Sequence, residues 1–165
     1  MTRLALVLTF LFLLLGFGSM TQARQDASAI ELGGFTGLLW FSDTGTLSEL
    51  GATMGYSISR QFAFTVSYWH AGVSFLGMEI LGIDAVDAVL TFDFSPDKRF
   101  GFYVLGGLGY LLAGMGGEGI DGIMVTTGAG LRIRPLSTVK IYAEYRPLIR
   151  FGVLHTIRAG ISMYF

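Results

Sequence analysis

The chain contains no cysteine, which excludes disulfide bridges, zinc–thiolate sites and thiol catalysis. Charge is scarce as well: Asp, Glu, Lys and Arg make up 14% of the 165 residues, and the formal net charge is -1. So sparse and balanced a set leaves no electrostatic footprint for nucleic acid, and it is too small for a disordered tail or a coiled coil. Beyond residue 24 no segment carries apolar residues at sustained helical spacing, and glycine interrupts the apolar runs, so helices are not expected. What is present is an apolar chain, 52% hydrophobic and 14% aromatic with 24 glycines, of a length that suits one domain.

Its start has the grammar of an export signal. Met1-Thr2-Arg3 is a short positive segment, Leu4 to Leu15 is apolar except for Thr9, and Thr21-Gln22-Ala23 is a small-x-small cleavage site. A core of about twelve residues falls short of the ~20 that span a bilayer as a helix. Residues 1–23 are therefore expected to be a cleaved signal peptide and 24–165 the exported domain. Export to an oxidising compartment without cysteine means a fold held together by pairing and packing alone.

From residue 24 onward, period-two alternation runs in segments of about ten residues separated by turn chemistry. Strands are expected at Ile30 to Phe41, Leu50 to Ser59, Phe62 to Phe75, Glu79 to Phe94, Phe100 to Leu111, Ile123 to Arg134, Val139 to Arg146 and Leu154 to Phe165. Arg60-Gln61, Ser95 to Arg99 and Pro135 to Thr138 read as tight turns. The other connections, Ser42 to Glu49, the region around Leu76-Gly77-Met78, Leu112 to Gly122 and Pro147 to Val153, are expected to be mostly longer. Short turns at one end, longer loops at the other and an even strand count are the pattern of an outer-membrane barrel.

Sorting the strands by parity sharpens this. One face carries Leu50, Met54, Tyr56, Ile58, then Phe62, Phe64, Val66, Tyr68, and continues through Leu90, Phe102, Leu131, Ile141 and Ile157 without a charge. The opposite parity holds Asp87, Asp93, Arg132, Arg134, Lys140, Glu144, Arg146 and Arg158 among Gly, Ser and Thr. A lipid-facing exterior around a narrow polar lumen produces such a split, whereas a soluble lipocalin-like carrier reverses it. Aromatics near strand ends, Trp40, Phe41, Tyr68 and Trp69 at one end and Tyr56, Phe62, Phe94, Phe100, Phe102 and Phe165 at the other, suggest two interfacial girdles. In the first and fifth strands both parities are apolar, which leaves their lipid-facing side open.

The chain ends Ile157-Arg158-Ala159-Gly160-Ile161-Ser162-Met163-Tyr164-Phe165, with Phe last and apolar residues at every second position before it. With the export signal and the Tyr142-Ala143-Glu144-Tyr145-Arg146 segment, the exported chain resembles the small eight-stranded OmpA/OmpX/OmpW-like outer-membrane barrels. That resemblance implies an all-β fold, an eight-stranded antiparallel up-and-down transmembrane β-barrel, at home in a bacterial outer membrane. It also implies that Phe165, Met163 and Ile161 form the C-terminal signal read by barrel-assembly machinery, although Met163 stands where an aromatic is common. The partners expected are outer-membrane lipid and lipopolysaccharide, for a monomer that binds no nucleic acid. Activity is not implied, since one fold hosts many functions.

Candidate sites are few. If the last hairpin turns near Phe151, Glu144 lies opposite Arg158 with Arg132 in diagonal reach, and these with Arg146 are expected to form a luminal ion-pair network. An ion gate is the functional version of the same constellation. Phe75 and Met78 belong to an apolar stretch, Ala71 to Gly82, that as a rim would suit a hydrophobic ligand or conduit. A lipid-modifying enzyme would have to use His70 and His155, but Ser67 and His70 have opposite parity and His155 is followed by Thr156 and Ile157. Neither histidine has metal-site spacing, and Gly106-Gly107-Leu108-Gly109 lacks the helix and Lys-Ser/Thr of a phosphate loop, so no cofactor is expected.

Overall fold

The computed structural model describes residues 29–41, 45–75, 78–114, 121–150 and 152–165, with side chains placed in all but 41, 45, 73–75, 78–81, 113 and 114. The expected signal peptide lies outside the described residues. Eight strands follow one another in chain order: β1 (Ile30–Phe41), β2 (Gly45–Ser57), β3 (Phe62–Phe75), β4 (Met78–Asp93), β5 (Phe100–Gly114), β6 (Gly122–Leu136), β7 (Val139–Ile149) and β8 (Val153–Tyr164). Each pairs antiparallel with its neighbour, and β8 pairs with β1 to close the barrel. At that seam Glu31 stands opposite Tyr164 and Phe41 opposite Leu154, and Phe165 exchanges both backbone hydrogen bonds with Ile30.

Alternation decides which side of the wall each residue takes. Leu50, Met54, Leu90, Leu108, Ile123, Leu131 and Ile157 are exposed on the outside, while their sequence neighbours point into the lumen. The two strands with apolar residues on both parities are settled by the same rule. Glu31, Gly33, Phe35, Gly37 and Leu39 face inward from β1, and Gly101, Tyr103, Leu105, Gly107, Gly109 and Leu111 from β5.

Several strands run further than the sequence suggested. β2 begins at Gly45 instead of Leu50, β5 continues to Gly114, and β7 continues to Ile149, so the stretches between strands at that end shrink to 42–44, 76–77, 115–121 and 150–152. The expected contrast in loop length is thus replaced by longer strands at that end. The cause is continued alternation: Leu47, Glu49, Leu111 and Leu148 find buried places inside, while Thr46, Ser48, Leu112 and Ile149 stay exposed. Thr46 and Ser48 resemble loop composition but serve as exposed outer positions. Trp69 is a second correction, because it turns inward and is fully buried instead of joining a girdle.

Glycines on the inner face make room for rings. Phe35 sits opposite Gly51, Tyr103 opposite Gly130 and Tyr142 opposite Gly160, and a Cβ on any of these glycines would collide with the facing ring. The rings therefore lie along the wall, a cross-strand arrangement in which an aromatic covers a neighbouring glycine. Outside, Phe62, Phe92, Phe94 and Phe102 form a chain of ring contacts with centroids 5.0, 4.9 and 5.4 Å apart, near the end where β1 begins and β8 ends, the terminus end of the barrel. Replacing Leu90 in the middle of the outer wall with Arg is expected to destabilise the lipid-embedded barrel by about 2–4 kcal/mol. Unfolding titrations in vesicles measure this, and an unchanged midpoint would contradict the lipid-facing assignment of that parity.

Candidate functional site

Among the described residues, the lumen gathers the largest set of charged side chains. Five acids, Glu31, Glu49, Asp87, Asp93 and Glu144, meet five bases, Arg132, Arg134, Lys140, Arg146 and Arg158, and every one is within an ion pair. Taking a carboxylate or guanidinium out of water costs several kcal/mol, so such a set persists only where each charge has close opposite charges and hydrogen bonds.

Asp87 is the hub at mid-barrel. Its side chain is fully buried and accepts hydrogen bonds from Trp69 Nε1 at 3.1 Å, Arg146 at 3.1 Å and Arg158 at 3.4 Å. Arg158 also reaches Glu49 at 2.5 Å, whose second oxygen accepts from Thr156 at 3.0 Å. On its way across the lumen the Arg158 guanidinium lies 4.6 Å from the Phe35 ring centre and 5.4 Å from that of Trp69, a cation–π sandwich in a desolvated place. Arg146 bridges to Glu144 at 2.8 Å, and Tyr103 donates its hydroxyl to the same carboxylate at 2.9 Å.

The expected network is therefore real in membership and different in wiring. Glu144 and Arg158 are cross-strand partners in register, but Arg158 points across the barrel to Glu49 and Asp87 while Glu144 is held by Arg146 and Tyr103. Arg132 does not join them. Its register partners are Gly101 and Tyr142, and the bare Gly101 lets the guanidinium fold over it toward Asp93. There it donates to the carbonyls of Ser95 at 2.6 Å and Lys98 at 3.1 Å. Glu49 was missed because its segment reads as loop, although it continues the inward parity of Thr53 and Gly55. The role of Asp87 was hidden for another reason: its cations come from β7 and β8, across the lumen, and strand-neighbour reasoning does not reach them.

The two ends of the lumen differ. Toward the distal hairpins the inward residues are Leu39, Leu47, Ala71, Ile83, Ala85, Leu111, Met124 and Leu148, all buried, and they form an apolar plug above the charges. Toward the termini, Glu31 pairs with Lys140, whose ammonium lies 5.2 Å from the Tyr142 ring centre and 5.8 Å from that of Tyr164. A cavity of about 60 Å³ at this end is lined by residues that include Arg60, Gln61, Tyr103, Lys140 and Tyr142.

Neither histidine belongs to the lumen. His70 Nδ1 is 3.0 Å from Asp84, which also accepts from the Tyr68 hydroxyl at 2.7 Å, all three on the outer wall. His155 stacks on Trp40 and Tyr145 and lies 2.6 Å from the Tyr145 hydroxyl. Ser67 is buried inside, so it makes no nucleophile–base pair with the outward His70. Among the described residues no cluster of His, Asp and Glu forms a metal site. The side chains of Phe75 and Met78 lie outside what the structure describes, although their backbones pair across the β3–β4 hairpin. Ile161, Met163 and Phe165 fall on the outer parity of β8 and its end.

Removing the hub should cost more than removing a branch. Asp87→Ala leaves Arg146 and Arg158 short of a buried counter-charge and is expected to destabilise the folded barrel by about 3–5 kcal/mol. Glu144→Ala should also destabilise, but less, because Arg146 keeps Asp87. Urea midpoints of the two variants in the same lipid test the order, and the reverse order would contradict the wiring.

No protein-family model matches the chain, and no curated protein does. Solved structures do. The N-terminal β-barrel domain of Pseudomonas aeruginosa OprF superposes with a TM-score of 0.71 at 15% identity, over 86% of this chain and 100% of that one. Neisserial surface protein A gives 0.65 at 16% identity, over 85% and 98%. A de novo designed transmembrane β-barrel gives 0.55 at 18% identity, over 88% and 100%. A designed barrel as similar in sequence as the natural ones shows that the likeness carries architecture and no particular activity. With the apolar outer wall and paired polar lumen described above, the chain has the fold of the eight-stranded transmembrane β-barrels found in bacterial outer membranes.

Proposed function

We propose that this is an integral outer-membrane protein, a monomer with a filled lumen whose role is structural or interactive at the membrane surface, and neither catalytic nor conductive. The observation that carries this reading is the filling of the lumen. The mid-barrel charges neutralise one another, and the apolar plug above them offers no hydrated path for an ion. A role other than catalysis is supported by the placement of the histidines, which face outward on separate strands, while Ser67 is buried on the inner side of the wall.

In this reading the end with the termini and the turns at 58–61, 94–99 and 137–138 faces the periplasm, and the extended hairpins face outward. Outer-membrane lipid and lipopolysaccharide contact the apolar belt. The outward Ile161, Met163 and Phe165 are the residues offered to barrel-assembly machinery before the seam closes.

The full chain, expressed with residues 1–23, is expected in isolated outer membranes as a band whose mobility on SDS gels shifts on boiling. Purified and reconstituted in planar bilayers, it should give no discrete conductance steps. A soluble periplasmic product without a boiling shift would overturn the membrane assignment. Reproducible single-channel steps from a band that does shift would overturn the closed lumen alone.

A further inference from the structure

The turn between β4 and β5 is built more firmly than a solvent turn requires. Arg132 donates to the carbonyls of Ser95 and Lys98, Arg134 donates through its side chain to Pro96 at 2.6 Å and through its backbone N–H to Arg99 at 2.8 Å, and Asp93 accepts from the Ser95 N–H at 2.8 Å. These bonds fix the backbone of 95–99 from inside the barrel. They also leave a groove of about 160 Å³ between this turn and the next, lined by Asp97, Lys98, Arg99, Arg134, Leu136 and Ser137.

Two features of that groove are unexplained by the fold. Lys98 and Arg99 are exposed, and among the described residues neither side chain has an ion-pair partner, while the acid of the turn, Asp97, lies 3.5 Å from Arg60. Adjoining the groove on the outer wall is an apolar surface in which Phe94, Phe100, Ile133 and Leu136 are all at least half exposed. Phe100 and Ile133 are direct cross-strand partners, so cations and apolar surface form one strip running from the turn up the wall. Around the rest of this rim the exposed large residues of β7, β8 and the termini are apolar, Ile30, Ile141 and Ile161 among them.

We infer that the β4–β5/β6–β7 groove is a binding site for one anionic phospholipid of the leaflet at the terminus end, the inner leaflet in the proposed orientation. The headgroup phosphate is held by Lys98 and Arg99, and the acyl chains lie on Phe100, Ile133 and Leu136. Charge complementarity and the adjoining apolar strip together select a lipid. A free anion would use only the cations, and a neutral lipid only the strip. The site rests on the membrane reading above, because its apolar half is a lipid contact only in a bilayer.

The experiment uses the folded full-length exported chain in micelles doped equally with phosphatidylglycerol and phosphatidylethanolamine, with retained lipid read by native mass spectrometry. The wild type should retain one phosphatidylglycerol in preference to phosphatidylethanolamine. Lys98→Gln with Arg99→Gln should cut that preference roughly tenfold or more, at ~1 kcal/mol for each basic residue near a lipid surface. Arg150→Gln at the opposite end should leave it unchanged. Should the double variant fail to fold, salt supplies the test on the wild type, since raising ionic strength must erode the preference. Equal retention of both lipids, a preference indifferent to salt, or an unaltered double variant that keeps its boiling shift would each overturn the site. Displacement of the lipid by millimolar inorganic phosphate would show a free-anion site in its place. Loss of the boiling shift in the wild type itself would fail the membrane reading, a result distinct from all of these.

Discussion

Inside a bilayer no water is available to a backbone N–H or C=O, so every such group in the wall must bond within the protein. The pairing of β8 with β1 meets that requirement, and the rest of the molecule follows from it. A sheet without edges must curl on itself, and with eight strands the enclosed space is only wide enough for side chains. Whatever faces inward must therefore take up most of a narrow tube. The alternation of the strands commits half of every strand to that task and the other half to lipid.

The tube is filled in two ways, according to position. Near the distal hairpins, Leu39, Leu47, Leu111, Met124 and Leu148 pack as a small apolar core. Below them, charged residues balance in number and are joined across the lumen, with aromatic rings laid over glycines to keep the walls thick. Replacing such pairs with well-packed apolar residues is often neutral or stabilising, so their presence is weak support for stability as their purpose. What they add is specification. Arg158 sits so as to serve Glu49, Asp87 and the two rings beside it, and that arrangement requires β1, β2, β3, β4 and β8 to be in register.

Strand number, antiparallel order and the lipid-facing parity were legible in the sequence because they depend on period-two alternation, a local property. Leu50, Met54 and Tyr56 against Thr53 and Gly55 announce their sides without reference to any other strand. The wiring of the lumen was not legible in the same way. Glu144 and Arg158 are neighbours in register, yet Glu144 pairs with Arg146 along its own strand and Arg158 with Glu49 and Asp87 on β2 and β4, contacts that nearest-neighbour register does not encode. Trp69 misled for a related reason: an aromatic near a strand end suits an interface, but its inward parity and the acceptor at Asp87 decide its side. The strand extension at Gly45 to Glu49 was hidden by turn-like composition, Thr46 and Ser48 being polar outer positions of a continuing strand, and that at Pro147 to Ile149 by a proline that reads as a strand end.

The distribution of luminal charge across the closing strands has a consequence for assembly. Glu31 lies on β1 and pairs with Lys140 of β7, while Arg158 lies on β8 and pairs with acids of β2 and β4. These contacts are completed only when the first and last strands come together, so a half-built sheet holds its charges on a hydrated concave face. A one-residue slip at closure would rotate Arg158 outward into hydrocarbon, leaving Glu49 without its counter-charge and Asp87 with Arg146 alone. The ion pairs thus act as a proofreading device, penalising a misaligned closure with charges stranded on the wrong side of the wall and rewarding the single alignment in which all ten are answered.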